Sequence, residues 1–486
     1  MTRLPRPPRR SSLDLVNHDL LNYDLLIHDL PKYFARCDLL DRPLCGDYNI
    51  HCLSCFPRGE RKDFATKKLA LLLAACLLFT LCTACGASPE PAPTAEPTEA
   101  PTATPEPTAT ATPEPTPEPT PEPTPEPVAE ELTEGVTLSD SIGGYTSILR
   151  DGDRTSRVQY RTGNTLHISS ETPIGSIYLY WYEPAAPFTV HTAAGDVAGG
   201  TYGFLHEYLE MPEPVTEIDL EFTDLSQLCE VRVFTEGTAP DDVQVWEPPC
   251  EQADVLLFPS HADDDVIFFG ALAAQCVDRG LTVQVVYLVN HYDWQPRPQE
   301  LLDALWAMGI RHYPVIGPFP DYYVLSLDAA RASFGEENVI AYQVEQLRRF
   351  KPLVAVGHDL EGEYGHGAHR LNALCLTQAV ELAADETYDT ESAAAYGTWN
   401  TPKLYLHFAD TNPIVLDVET PLESFGGRTA FEVASDAMLY HESQLVYAHR
   451  PTLESEEFPR YDCRRFGLVR SLVGADTGND IMEHIS

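Results

Sequence analysis

Positive charge is scarce in this sequence. Lys and Arg number 32 against 74 Asp and Glu, for a formal net charge of −42. Nothing here neutralises a phosphate backbone, which excludes nucleic acid as a partner. The same deficit excludes docking on anionic lipid by charge. Long hydrophobic runs are missing too: the run from Leu69 to Leu81 falls short of the ~20 apolar residues of a membrane-spanning helix. Cysteine runs out early. Seven of the twelve lie at or before Cys85, leaving Cys229, Cys250, Cys276, Cys375 and Cys463 at spacings unlike a metal site. Cys276 and Cys375 fall in helical patterns as small buried hydrophobes, and a Cys229–Cys250 pairing stays open.

Proline is abundant, at 41 residues, and unevenly spread. Residues 1–60 read as a leader outside any folded domain, disordered or the product of a mis-assigned translation start. Cys52-x-x-Cys55 is a single pair, too little for a zinc site. Residues 61–85 read as a lipoprotein-type signal segment: Lys67 and Lys68 precede the apolar run, and small residues close it. Its ending, Leu81-Cys82-Thr83-Ala84-Cys85-Gly86, resembles a bacterial lipobox with Cys85 as the lipidated residue; Leu73-Ala74-Ala75-Cys76 offers Cys76 as the alternative. That resemblance implies a chain held by a lipid anchor alone on the extracellular face of the bacterial cytoplasmic membrane, or secreted. Residues 86–129 are a Pro/Thr/Glu-rich linker, with nothing to bury and few backbone donors. Such a tract extends as a semi-rigid spacer.

Over residues 130–247 the apolar period turns to two. Thr165–Ser170, Ile177–Tyr182, Thr216–Phe222 and Glu230–Thr235 predict short strands between Gly, Pro, Asp and Asn clusters. A small β-sandwich is the expectation. The stretches 149–160, 173–183 and 231–237 resemble galactose-binding-like jelly rolls. Trp181 lies inside a strand pattern and is expected in the core.

Residues 250–486 alternate α and β. Strands are expected at Asp254–Phe258, Thr282–Val289, Tyr313–Ile316, Leu353–Val356 and Leu404–Phe408. Helices are expected at Asp264–Arg279, Pro298–Met308, Asn338–Phe350 and Ala368–Ala383. The order implies an α/β, Rossmann-like, mostly parallel sheet with helices on both faces, whose ligands bind beyond the carboxyl ends of the strands. Two polar clusters fall there. The first strand runs into Ser260-His261-Ala262-Asp263-Asp264-Asp265. A later one runs into Gly357-His358-Asp359 and then Glu363-Tyr364-Gly365-His366-Gly367-Ala368-His369-Arg370. Asp265 fits a helix start, where carboxylates complement the dipole and cap free N–H groups. His, Asp and His from two loops at one sheet edge suit a metal held by three protein ligands with a position left open, the mark of a catalytic zinc site.

The two histidine motifs resemble the PIG-L/LmbE-like zinc-dependent de-N-acetylases. The family's His-Pro-Asp-Asp-Glu stands here as His261-Ala262-Asp263-Asp264-Asp265. Its Gly-His-Pro-Asp-His stands as Gly365-His366-Gly367-Ala368-His369. His441-Glu442-Ser443-Gln444 is similar to its His-x-Ser-Gln, and Arg297-Pro298-Gln299-Glu300 to its Arg-x-x-Glu helix. The resemblance spans nearly all of 250–486. It implies zinc, or another divalent metal, on His261, Asp264 and His369, and Asp263 as general base. It implies His366 at the oxyanion or the leaving amine, assisted by Tyr364. Ala368 stands where the family has Asp, so Asp359 is the candidate carboxylate that fixes the His366 tautomer. Arg297 and Asp321 are candidate substrate contacts. The implied activity is removal of acetyl from an N-acetylated amino sugar, of N-acetylglucosamine type, at the cell surface. Two competitors remain: a non-catalytic carbohydrate-binding lipoprotein, and a metal-dependent esterase or amidase on another substrate. The sequence leaves the sugar, its linkage and the oligomeric state open.

Overall fold

The computed structural model describes residues 126–447, 450–454, 456 and 458–485. The leader (1–60), the signal segment with Cys76 and Cys85, and nearly all of the linker (86–129) lie outside the described residues. No helix among the described residues is long and apolar enough to cross a membrane.

Seven strands come first: β1 (Thr137–Asp140), β2 (Val158–Tyr160), β3 (Thr165–Trp181), β4 (Phe188–Thr192), β5 (Val197–Gly199), β6 (His206–Phe222) and β7 (Ser226–Phe234). They form one antiparallel sheet in the order β2-β7-β3-β6-β4-β5, with β1 also on β3. The sequence suggested a small β-sandwich; its strands are joined in one continuous hydrogen-bonded ladder. The reason is that β3 and β6, of 17 residues each, run through both halves. The first half of β3 pairs β1 (Leu138 with Ile168), and the second half pairs β7 (Tyr178 with Arg232). Its register with β6 shifts between Ser169 and Ser176, around Pro173 and Gly175. Those two residues read as a turn in the sequence; here they mark an irregularity inside one strand. A side chain at Gly175 would meet the Glu236 backbone nitrogen at 2.4 Å, so only glycine fits.

Trp181 is fully buried, and its Nε1–H donates to Glu207 Oε2 at 3.2 Å; the Gly200 N–H donates to Oε1 at 2.7 Å. Burial outweighs both donors and pushes the Glu207 carboxyl up to about 7. The folded chain therefore holds this proton more tightly than the unfolded chain. The residue's contribution is greatest below its unfolded value, near 4.5, and is lost as pH rises through about 7. Glutamine does not titrate, so the stability of Glu207→Gln relative to wild type should rise by about 2–3 kcal/mol between about pH 5 and about pH 8. Denaturant unfolding at the two pH values checks this; a difference independent of pH would contradict it.

The second sheet is built from β8 (Val255–Leu257), β9 (Val283–Val285), β12 (Val354–Gly357), β13 (Lys403–His407), β14 (Pro413–Val415) and β15 (Arg465–Ser471), in the order β14-β15-β13-β12-β8-β9. β13, β12, β8 and β9 are parallel, and β15 runs antiparallel between β13 and β14. A small parallel pair, β10 (Val289–Asn290) and β11 (Phe319–Pro320), stands apart from it. The helices are α1 (Asp264–Ile267), α2 (Gly270–Asp278), α3 (Arg297–Ala307), α4 (Leu327–Phe334), α5 (Glu336–Phe350), α6 (Gly367–Leu382), α7 (Thr390–Tyr396) and α8 (Ala430–Ala437). Alternation along the strands sorts the core into two faces. Val255, Leu257, Val354, Val356 and Tyr405 pack with α2, α3 and α8, whereas Leu256, Ala355, Leu404 and Leu406 pack with α5 and α6. Helices thus cover both faces of a mostly parallel sheet, as expected for a strand set with no polar side.

Three expected elements differ. The helix read over 264–279 breaks at Phe268 and Phe269, which are adjacent yet both buried. The strand read over 282–289 divides into β9 and β10. The strand read over 313–316 is reduced to one bridge, Val286 to Val315. All five cysteines in the described residues are buried free thiols, so Cys229 and Cys250 are not paired. The two sheets meet along α3: the Leu205 N–H donates to Tyr313 Oη (2.9 Å), Arg154 pairs with Asp303 (2.7 Å), and buried His206 lies between Gln244 and Gln299.

Candidate active site

β9 lies on one side of β8 and β12 on the other, so the chain leaves β8 and β12 in opposite directions. That switch point opens a crevice at the carboxyl ends of the two strands. The loop 258–263 enters it from β8, and the loop 358–366 from β12.

The first loop is held by its own amides. Ser260 N–H donates to His358 Nε2 (2.9 Å), His261 N–H to Asp264 Oδ2 (2.7 Å), Ala262 N–H to His291 Nε2 (2.8 Å) and Asp263 N–H to Asp265 Oδ1 (2.9 Å). Four successive donors thus meet side-chain acceptors. Asn372 of α6 donates to Phe258 O and Ser260 Oγ, both at 3.0 Å, and ties this loop to the second. These bonds hold Asp263 at φ 116° and ψ −33°, a backbone state that side chains other than glycine rarely adopt. The second loop ends at Gly367, where a Cβ would fall 2.2 Å from Ser326 O; glycine lets α6 start against that backbone.

His261 Nδ1, Asp264 Oδ2 and His369 Nε2 form a small triangle. The sides are 3.0 Å (His261–Asp264), 3.2 Å (His261–His369) and 3.2 Å (His369–Asp264). Zinc bonds of about 2.0–2.1 Å in a tetrahedral site put ligand atoms about 3.3–3.4 Å apart. The donors stand close to that spacing, and two imidazole nitrogens facing each other at 3.2 Å suit a shared cation. All three residues are buried. His366 groups with His261 and His369, and His358 with Asp264 and His369, as further clusters that can hold a metal. Burial opposes the Asp264 charge, yet His369, His358 and His261 hold its carboxyl well below the usual range. Burial also opposes protonation of His369, but Asp264 and Glu363 raise it to about 10.

Asp263 lies beside the triangle. Burial raises its carboxyl above the ordinary range, against the pull of Arg297, whose Nη2 is 3.5 Å from Asp263 Oδ1. Arg297 also donates to the Ala262 carbonyl and pairs with Asp321 at 3.1 Å. Asp321 in turn accepts from His291 Nδ1 at 2.9 Å. Arg297 and Asp321, read as substrate contacts, are therefore joined to each other at the site's edge. Behind Asp263, Ser443 donates through N–H (2.8 Å) and Oγ–H (2.6 Å) to Glu300, which brings His441 Nε2 to 3.7 Å from Asp265 Oδ1. Asp265 thus closes back on the Asp263 amide and faces His441.

His366 sits between Tyr323 and Tyr364, each ring 5.4 Å from its own, and its ring is 4.8 Å from that of His261. Tyr323 (74% exposed) and Tyr364 (45%) open to solvent, so this is the side of entry. One expectation fails. Asp359 does not orient His366: it pairs with Arg460, and His366 Nδ1 has no hydrogen-bond partner among the described residues. Asp359 lies in the first turn of its loop, and its carboxylate also accepts the Glu361 N–H. The carboxylate inside the cluster is Glu363, to which the sequence motifs give no role. It accepts from His369 Nδ1 (2.6 Å) and His358 Nδ1 (2.9 Å), and His407 Nδ1 stands 3.2 Å from it.

Fold and site together define an α/β protein with a candidate metal centre at the switch point of its parallel sheet. No family model matches the chain. Among relatives, the 1D-myo-inositol 2-acetamido-2-deoxy-alpha-D-glucopyranoside deacetylase 2 of Saccharopolyspora erythraea is 28% identical over 265 residues, covering 46% of this chain and 95% of the relative. The deacetylase 1 of that description from Catenulispora acidiphila is 27% identical over 180 residues, covering 31% of this chain and 54% of the relative. Among solved structures, the N,N'-diacetylchitobiose deacetylase of Pyrococcus horikoshii is similar at 18% identity and a TM-score of 0.32, covering 40% of this chain and 72% of that one. These relatives are deacetylases, and the resemblance drawn from the chain's two histidine motifs holds.

Proposed function

We propose that the chain is a zinc-dependent hydrolase that removes acetyl from an N-acetylated amino sugar, in an N-acetylglucosamine-type glycan or glycoconjugate. The observation that carries this reading is the triangle of His261 Nδ1, Asp264 Oδ2 and His369 Nε2, with Asp263 next in the chain to Asp264 and feeling its charge. Those three residues would hold the ion. When bound, zinc supplies a Lewis acid that polarises a carbonyl oxygen and makes water acidic near neutral pH. Asp263 takes the proton of the attacking water, and Arg297 keeps that carboxylate in place. His366, its ring 4.8 Å from that of His261, donates a hydrogen bond to the amide oxygen as negative charge develops there. A donor in that role is worth about 3–4 kcal/mol. Tyr364 flanks the same ring and assists it. The C–N bond breaks as the amine gains a proton, and acetate and free amino sugar depart.

The deacetylase names of the relatives support the reaction type, and Lys and Arg are too few to favour an anionic glycan. The cell-surface setting rests on residues 61–85, through lipidation at Cys85 or, in its place, Cys76. Radiolabelled palmitate should label the wild type and not Cys85→Ala; label retained by that variant moves the site to Cys76.

Acetate release from a panel of N-acetylated glycans, with and without chelator, tests the activity. The expected result is release that stops with chelator and returns with added zinc. Release from O-acetyl but not N-acetyl substrates would favour the esterase reading, and no release from a zinc-loaded protein would favour the carbohydrate-binding one.

A further inference from the structure

Glu363 is at the centre of a buried group that neither the sequence motifs nor the proposed reaction uses. Its side chain is fully buried, as are those of His358, His369 and His407. Oε2 faces His369 Nδ1 at 2.6 Å. Oε1 faces His358 Nδ1 at 2.9 Å and His407 Nδ1 at 3.2 Å, and the Asp359 N–H donates to it at 3.1 Å. The three imidazoles come from the end of β12, the first turn of α6 and the end of β13. One carboxylate therefore joins three separate elements at the carboxyl edge of the sheet.

An ionised carboxylate can only accept. A neutral ring whose Nδ1 faces it and whose Nε2 faces a donor or a cation places its proton on Nδ1 and presents the Nε2 lone pair at the opposite end. For His358 a second contact agrees: its Nε2 accepts the Ser260 N–H at 2.9 Å. For His369 the opposite end is the Nε2 that faces Asp264 Oδ2 and His261 Nδ1, both at 3.2 Å. His407 reaches from Glu363 to the Asp462 carbonyl (3.1 Å) and anchors the group to the segment before β15.

We infer that Glu363 is a positioning residue that fixes the tautomer and ring orientation of His369, so that Nε2 is presented to a divalent ion. The inference rests on His369 being a metal ligand, as in the proposed function, and needs no turnover for its test. A hydrogen-bonded carboxylate behind a ligating imidazole usually contributes about 10–100-fold in metal affinity. Glutamine at 363 turns one acceptor into an N–H₂ donor, which cannot satisfy an Nδ1–H.

The test is zinc affinity of the purified full chain by competition with a chromogenic chelator, together with ¹⁵N-histidine NMR of the zinc-loaded protein. Glu363→Gln, folded by circular dichroism, should bind zinc about 10–100-fold more weakly, with Glu363→Asp between it and wild type. In wild type, His369 should carry its proton on Nδ1. A folded Glu363→Gln that binds zinc within about twofold of wild type, well short of the usual loss, overturns this inference while leaving the metal site standing. Should the variant not fold, the wild-type tautomer decides, and His369 protonated on Nε2 overturns the inference. A wild type that binds no zinc overturns the metal reading and this inference with it.

Discussion

Asp263→Ala should retain the metal and lower kcat by roughly 10²–10⁴-fold, the usual worth of a positioned general base. The argument is geometric. Asp263 lies outside the His261–Asp264–His369 triangle but adjoins it, with Arg297 3.5 Å from its carboxylate. Removing that carboxylate leaves all three donors in place. A companion variant separates chemistry from backbone. At φ 116° the Asp263 main chain is strained, and glycine takes up that conformation freely. Asp263→Gly should therefore be as inactive as Asp263→Ala yet more stable than it, by about 1–3 kcal/mol. Steady-state kinetics with zinc analysis checks the first result, and denaturant unfolding the second. Full turnover by Asp263→Ala would assign the base elsewhere.

His369→Ala should lose both the metal and much of the stability. The ring is fully buried between two carboxylates, Asp264 at 3.2 Å and Glu363 at 2.6 Å. Truncation removes one corner of the triangle and leaves Glu363 short of its closest partner in the interior. Breaking a buried pair in this way costs about 3–5 kcal/mol. Acetate release should fall to background, and added zinc should not restore it. His366→Ala makes the contrast: that ring is buried between Tyr323 and Tyr364 outside the triangle and, among the described residues, its Nδ1 has no partner, so the expected loss is in rate with the metal kept. Calorimetry of the two variants with and without zinc distinguishes them. Equal zinc stabilisation of His369→Ala and wild type would remove His369 from the ligand set.

The site's outline was legible because it hangs on strands. Val255–Leu257 and Val354–Gly357 are short, wholly buried runs. Runs of that kind in an alternating α/β order place His261, Asp264 and His369 at one sheet edge on pattern alone. The path of the chain within the second loop was not legible. Glu363 reaches its three histidines because the backbone curls through positive φ at Gly362 (73°), Glu363 (39°) and Gly365 (88°). Neither a period of two nor one of 3.6 describes such a segment, so nearby Asp359 stood as the supporting carboxylate in its place. A signal for His407 did exist: it ends the fourth parallel strand, at the same edge as the two motifs. His291 follows β10, a two-residue strand that merges into a longer apolar run in the sequence. In the first sheet, Pro173 and Gly175 look like a turn, and only the pairing partners reveal that β3 continues through them. The antiparallel strand β15 was not among the expected strands, because its partners β13 and β14 lie far earlier in the chain.

The most direct measurement is anomalous diffraction at the zinc edge from crystals of the full chain grown with zinc. The expected result is one strong peak at about 2.0–2.2 Å from His261 Nδ1, Asp264 Oδ2 and His369 Nε2 together, with Asp263 near it but not bonded to it. A peak at any other set of side chains, or none while those three donors stay together, would contradict the account.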